Sequence, residues 1–523
     1  MKIFIQIIFL LVFVIVSFDF TNDNSAVDSK QMDANSISTW FRSNGSFNRD
    51  PGTGNSGFYW PISSSNTARY ASGFWIGARR GNDTLVTVCN YEYEYLPGYT
   101  DLSGNPQGFD SGDVYRIYKL TKDINNNDRT TWPNSLLGNS NQGAPVYYDN
   151  VTSSWKPQDF GFQTMFYLFT DSYPSVHTAV GGSTAPLKAD IKQLNIAERT
   201  ISGSMYNTII SQYIIINKNT VPWEDAYFSF WTDDDLGSSD DDVKGCDSAL
   251  RLGYTYNFTN NDPVYGANPP CVGTILLKGA LKHTGNPGDI ETYCVNNERI
   301  VKTGYRDQGI FSFSSNGYPA NKIESYRLMN GIRADGSIVM NPGGFPTRLY
   351  YTGDPVTGSG WIQTTAGNQR FLLTTGPVNV NPGDTQVIVI AQMIARGSSN
   401  LNSITQLRGF AAEVKEYYRD CYNLSPLSVE GSDKIPDAYF LDQNFPNPFN
   451  PSTIINYSLH ENSYVNLKVY DLLGKEISVL VNEDQKAGGY SVQFNGSGLA
   501  SGVYIYRLEA GKFTSAKRML FVK

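Results

Sequence analysis

Residues 452–523 read STIINYSLHENSYVNLKVYDLLGKEISVLVNEDQKAGGYSVQFNGSGLASGVYIYRLEAGKFTSAKRMLFVK. Apolar side chains recur at every second position: Ile455, Tyr457 and Leu459, then Val465, Leu467 and Val469, then Tyr490, Val492 and Phe494. A fourth run sets Val503, Ile505 and Arg507 on one face and Tyr504, Tyr506 and Leu508 on the other. A last run extends from Phe513 to Val522. Period two is that of a strand with one face buried. Turn chemistry separates the runs, as in Asp471-Leu472-Leu473-Gly474-Lys475 and Ala510-Gly511-Lys512. Short alternating strands about 8–12 residues apart predict a small β-sandwich of the immunoglobulin type.

Moving toward the N-terminus, residues 423–437 (NLSPLSVEGSDKIPD) are polar and aperiodic, so they read as a linker. Residues 30–422 before it are strand-rich. GFWIGARR (73–80), DTLVTVCNYEYEYL (83–96), MFYLFT (165–170), YNTIISQYIIIN (206–217) and DAYFSFWTD (225–233) read as strands. TQVIVIAQMIA (385–395) is apolar throughout, as expected of a strand buried on both faces. One helix is predicted, because Ile404, Leu407, Ala411, Val414, Tyr418 and Cys421 form a single stripe. Ser403 is its expected N-cap. The fold class is therefore mainly β: a multi-domain β-sandwich with one C-terminal helix, followed by the small sandwich. GGSTAP (181–186) interrupts the strands and offers a division into two subdomains near 180–200.

The chain has 41 Lys and Arg against 49 Asp and Glu, a net charge of −8, which argues against nucleic acid as a partner. Three histidines exclude multi-histidine metal sites. Lys2 followed by an apolar run to Phe18 predicts a signal peptide over residues 1–25. No other stretch is apolar enough to span a membrane. The five cysteines include no C-x-x-C, and Cys246 with Cys271 is a candidate loop-closing pair.

QNFPNPFNPSTIINYSL (443–459) resembles the opening of type IX secretion C-terminal sorting domains. VYDLLGKEISVLV (469–481), LASGVYIYRLEAG (499–511) and the terminal KRMLFVK (517–523) resemble later blocks of the same family, in the same order. The segment 438–523 is also similar to the Ig-like domain of flagellar hook-capping proteins. The matching sorting residues are Asn444, Pro446, Pro448, Asn450, Pro451, Gly474, Gly502, Tyr504, Lys517 and Lys523. The resemblance implies passage by the general secretory route, then the type IX machinery, to a secreted or cell-surface location. It also implies a bacterium of the Bacteroidetes–Chlorobi group. Residues 30–422 are then the passenger.

Within the passenger, seven carboxylates fall between Asp233 and Asp247. Such density repels itself unless solvated or neutralised. Alternating aspartates before Gly237 suit an oxygen-coordinated cation, so Asp233, Asp235, Asp240, Asp241, Asp242 and Asp247 are expected Ca²⁺ ligands. The Glu of an EF-hand is absent. Trp60 and Trp132 each precede a proline, and are the expected exposed aromatics for ligand binding. Glu92 and Glu94 alternate with tyrosines, as on one face of a strand. No nucleophile elbow, P-loop or dinucleotide fingerprint is present. The resulting expectation is a non-enzymatic passenger that binds a glycan, a surface or a protein. The alternative is a secreted hydrolase of polysaccharide or protein.

Overall fold

The computed structural model describes residues 27–122, 124–200, 203–296, 298–315, 319–421, 439–441, 444, 449 and 451–522. The targeting segment 1–25, the linker 423–437 and Pro446, Pro448, Asn450 and Lys523 lie outside the described residues. The chain divides into two compact units, 1–423 and 424–523.

Most of the first unit is built from two antiparallel sheets. Their strands, in chain order, are β1 (Ala71–Arg80), β2 (Asp83–Thr87), β3 (Leu96–Pro97), β4 (Tyr118–Thr121), β5 (Gln163–Thr170), β6 (Ala189–Ala197) and β7 (Thr208–Asn217). They continue with β8 (Trp223–Asp234), β9 (Asp242–Asp247), β10 (Leu252–Asn257), β11 (Cys271–Lys278), β12 (Ser312–Ser315), β13 (Gln369–Val380) and β14 (Thr385–Ala395). A five-stranded sheet runs β12–β13–β8–β1–β2. A nine-stranded sheet runs β4–β5–β6–β7–β14–β11–β10–β9, with β3 paired to the end of β5. Besides a single helical turn at Asn127–Thr130, the helices α1 (Lys322–Met329) and α2 (Asn400–Arg419) accompany them.

The central strand β14 shows why its sequence is apolar without interruption. Its pleat sends Ile388, Ile390 and Ile394 into the core between the sheets, where Phe74, Phe228, Phe230 and Tyr213 meet. Phe74 stacks on Tyr213 at 4.9 Å and tilts against Phe230 at 5.2 Å. The alternate residues Val387, Val389, Ala391 and Met393 face a second core shared with Ile404, Leu407, Ala411, Val414 and Tyr418 of α2. The strand is covered by a sheet on one side and a helix on the other, so both faces must be apolar. Each fully buried aliphatic side chain in these layers contributes about 1.5–3 kcal/mol.

Several expectations are corrected. The N-cap of α2 is Ser399, whose hydroxyl accepts from the Asn402 N–H at 3.0 Å. Ser403 lies inside the first turn, buried, with its hydroxyl 2.8 Å from the Pro269 carbonyl. Cys246 and Cys271 are buried free thiols, and the disulfide joins Cys294 to Cys421 across 127 residues. The run 83–96 is not one strand. β2 stops at Thr87, and the chain turns so that Asn90 N–H donates to the Glu92 carbonyl at 2.8 Å. The proposed division near 180–200 falls inside the nine-stranded sheet, since β6 pairs with β5 and β7 along its length.

The second unit continues the numbering with β15 (Ser452–Leu459), β16 (Ser463–Tyr470), β17 (Glu476–Gln485), β18 (Gly488–Asn495), β19 (Gly502–Ala510) and β20 (Phe513–Phe521). β15 pairs with β18, while β17–β16–β19–β20 form a four-stranded sheet. Their shared core holds Ile455, Tyr457, Leu459, Val465, Leu467, Val469, Phe494, Tyr506 and Leu508, the inward set read from the alternation.

Candidate functional site

The acidic run occupies the end of β8, a loop with one turn of 3₁₀ helix (Ser239–Asp241), and β9. The structure distributes its carboxylates among different partners. Asp233 accepts from the Tyr91 hydroxyl and pairs with Arg370 Nε at 3.2 Å. Asp234 is fully buried and pairs with Arg69 Nε at 3.2 Å, and Arg69 donates onward to Thr274 Oγ1 at 2.7 Å. Asp247 pairs with Arg408 Nε at 3.2 Å. Asp240 is exposed on the loop. Asp241 accepts from Asn257 Nδ2 at 3.0 Å, and Asp242 from the Leu236 N–H at 2.9 Å. Among the described residues, no three His, Cys, Asp or Glu side chains converge as they would around a metal ion.

Crowding still marks the loop. Burial first, then Asp233 and Asp234, push the Asp235 carboxyl up to about 7. Burial raises the Asp242 carboxyl as well. Burial lowers the ammonium of Lys244 to about 7, and its Nζ donates to the Arg370 carbonyl at 2.6 Å. Asp262, which the sequence reading missed, organises the far side of the loop. Its carboxylate accepts from the N–H groups of Ser238 (3.0 Å), Val264 (2.8 Å) and Tyr265. The only local signal for it was the turn-like Asn261-Asp262-Pro263.

Beside this loop lies a cleft of about 320 Å³, lined by Asp247, Thr352, Asp354 and Arg408 among others. Arg408 holds both carboxylates, with Asp354 Oδ1 2.8 Å from its Nη1. Burial opposes ionisation of Asp354, but the hydrogen bond from Arg408 and the Val356 N–H outweigh it and hold the carboxyl below its usual range. One wall is the loop 350–361, tied to β9 by the Cys246 N–H donating to the Tyr351 carbonyl at 3.0 Å. That loop carries three half-buried aromatic rings. Trp361 sits 5.5 Å from Tyr350 and 5.3 Å from Tyr351, centroid to centroid. Gly353 allows the loop to fold back, because a Cβ there would lie 2.6 Å from Trp361 N.

The expected ligand-binding tryptophans are both corrected. Trp132 is fully buried between Tyr118 and Phe166 and donates to the Pro145 carbonyl at 2.8 Å. Trp60 is 9% exposed, with its indole N–H 3.0 Å from Ser36 Oγ. A Trp-Pro step marks a loop, but the large ring still goes inward. Glu92 and Glu94 do not share an exposed strand face either. Glu92 accepts from the Val180 N–H at 3.0 Å. Glu94 is completely buried, accepts from the N–H groups of Val88 (3.0 Å) and Ser183 (2.8 Å), and lies 3.8 Å from His177 Nδ1. The GGSTAP stretch cradles that carboxylate, since a Cβ on Gly182 would fall 2.1 Å from Glu94 Oε2.

In the second unit the described sorting residues have definite structural roles. Asn444 is buried, donates its backbone N–H to the Tyr506 hydroxyl oxygen at 2.7 Å, and donates through Nδ2 to Thr453 Oγ1 at 2.9 Å. Gly474 adopts φ +81°, closing a turn in which Asp471 Oδ1 accepts from Leu473 and Lys475 N–H, each at 2.9 Å. Pro451 accepts from the Gly496 N–H at 2.8 Å. Gly502 opens β19, Tyr504 donates to the Ala500 carbonyl at 2.8 Å, and Lys517 stands opposite Tyr506 on β20. Phe449, not singled out from sequence, is buried against Phe521 at 5.0 Å and exchanges backbone bonds with β20.

Residues 443–523 match the secretion system C-terminal sorting domain. The chain is cargo of type IX secretion, bound for the cell surface or the extracellular space. Within the sorting domain, Asn444 and Phe449 bind the opening segment to β19 and β20, so the start and the end of the matched region form one folded object. The domain identifies the export route and leaves the passenger to be read from its own residues. No curated protein matches the chain. Among solved structures it is similar at 8% identity to a polysaccharide lyase (TM-score 0.21), covering 86% of this chain and 39% of that one. It is similar at 12% identity to PorZ, a surface component of the type IX system of Porphyromonas gingivalis (TM-score 0.12), covering 72% and 42%. The adhesin domain of Epf from Streptococcus pyogenes is similar at 8% (TM-score 0.13), covering 64% and 79%. The chain thus spans about two fifths of the length of the first two.

Proposed function

We propose that this exported chain is a non-enzymatic carbohydrate-binding protein and that the cleft beside β9 is its binding site. The observation that carries the reading is Arg408, which holds Asp247 and Asp354 together at 3.2 and 2.8 Å. Both carboxylates are then fixed acceptors for sugar hydroxyls. A glycosidase would instead need one carboxyl kept protonated as a general acid, and Asp354 is shifted the opposite way. Tyr350, Tyr351 and Trp361 supply aromatic surface on the adjoining wall. On a glycan array, the full chain is expected to retain a defined set of glycans, and Arg408→Ala to weaken them at least tenfold. Equal retention by the variant, or no retention by either protein, would sink the reading.

A second reading, calcium at the acidic loop, is favoured by two buried acceptors. Among the described residues Asp242 Oδ1 and Asn257 Oδ1 have no hydrogen-bond partner, and the two residues face each other across β9 and β10. A cation there would satisfy both and relieve the crowding at Asp235. The pH dependence follows from the raised carboxyl. Folded Asp235 keeps its proton to about pH 7, whereas the unfolded chain loses it near pH 4. Its contribution is therefore complete below pH 4 and lost as pH rises through 7. In chelator, Asp235→Asn should raise Tm by about 1–2 °C at pH 8 and leave it unchanged at pH 4. Millimolar calcium should raise the wild-type Tm at pH 8; a melt indifferent to calcium at 10 mM (roughly ten times a weak extracellular site's Kd) would remove this reading.

A further inference from the structure

A second cavity of the passenger lies elsewhere, at the opposite end of β8. The acidic loop follows Asp234, whereas this cavity is lined by Asp225, roughly 30 Å away along the strand. Its volume is about 610 Å³, within the range of small-ligand sites.

Three groups able to carry positive charge meet there: Lys282, His283 and Lys302. Among the described residues neither lysine is in an ion pair. Their neighbours are paired: Arg251 with Asp307 at 3.0 Å and Arg306 with Asp289 at 2.7 Å. In a chain of net charge −8, two lysines lining one concavity outside any ion pair among the described residues are a specific feature. Tyr305 organises Lys302 and His283. Lys302 Nζ lies 4.7 Å from its ring centre, and the His283 ring meets it edge-on at 5.0 Å.

The wall is held firmly. Leu281–His283 pairs antiparallel with Tyr305–Asp307. Leu281 is clamped to Gln386 by two hydrogen bonds, 2.9 Å from its N–H and 3.1 Å to its carbonyl. The lining also includes Asn379, Asn381, Asp225 and Asp384. Asp384 is occupied by the N–H and Nδ2 of Asn381 at 3.1 and 3.0 Å.

These groups select a chemistry. A bare inorganic anion would meet Asp225 and Asp384 and be repelled. An uncharged sugar would leave the lysines unanswered. A ligand that carries both an anionic group and hydroxyls satisfies both kinds of lining group, because carboxylates and carboxamides accept hydroxyl donors. We propose that this cavity binds an anionic saccharide unit, its carboxylate or sulfate on Lys282 and Lys302 and its hydroxyls on Asn379 and Asp225.

Calorimetric titration of the full chain tests this with three probes: digalacturonate, a sulfated disaccharide and uncharged galactobiose. At least one anionic probe should bind, and galactobiose at least tenfold more weakly. The double variant Lys282→Ala/Lys302→Ala should lose at least tenfold in affinity, with an unchanged melting curve showing that it is folded. Arg408→Ala, in the other cleft, should keep the affinity, which separates this site from the one proposed above. Binding by neither anionic probe, equal binding of the neutral sugar, or full binding by the double variant would each overturn it. The two anionic arms separate a carboxylated from a sulfated ligand.

Discussion

Removing residues 439–523 is expected to leave the passenger inside the cell envelope, where the full chain reaches the surface or the medium. The two units have separate cores, the second gathering Leu467, Tyr506, Leu508 and Phe521 among its own strands. The truncated passenger should therefore still fold, and the defect should be one of address. Fractionation of a bacterium that possesses a type IX system, with protease added to intact cells, checks this. The full chain should be cleaved or released, and the truncated one protected. Equal surface exposure of both would contradict the assignment of the sorting domain as the export determinant.

Breaking the disulfide should have the largest effect on stability. Cys294 and Cys421 lie 127 residues apart, and a bridge closing so long a loop restricts the unfolded chain by about 3–5 kcal/mol. The folded structure indicates what the bridge holds. Cys294 belongs to the hairpin formed by Ile290–Val295 and Glu298–Thr303, most of whose described side chains are exposed or half-exposed. Tyr293 and Cys294 are its buried anchors, and the Tyr418 hydroxyl bonds the Cys294 carbonyl at 3.3 Å. The same hairpin carries Lys302 to the cavity of the anionic-saccharide proposal. Cys294→Ser/Cys421→Ser should lower the passenger's Tm by about 4–6 °C. It should also weaken binding of the anionic probes, because the lysine loses its position. A Tm within 1 °C of wild type (about the reading error against a shift of this size) would show that the hairpin is held without the bridge. Such a bridge also fits a protein that leaves the reducing cytoplasm.

What could be read in advance was whatever depends on local period. The strand 385–395 and the stripe of α2 were legible because burial on both faces, or on one face every third or fourth residue, writes itself into consecutive residues. The tail was legible for the same reason, and its inward set coincides with the observed core. The EYEY alternation misled because period two also arises where a turn returns the chain. Glu94 is buried by Ser183 and Gly182, almost ninety residues away, and nothing local announces that partner. The aspartates were recognised as a cluster, but the fates of Asp234, Asp233 and Asp247 were set by distant arginines: Arg69, Arg370 and Arg408.

The amino-acid sequence by itself therefore determined the mainly β class, the last helix and the export address, since each is encoded in contiguous residues. Tertiary structure alone decided which cysteines join, which tryptophans face inward, and which charges pair. Those outcomes depend on pairings between segments tens to hundreds of residues apart. The physical reason is that burial and charge pairing are settled between side chains across space, and the order of residues along the chain does not specify which distant partner arrives.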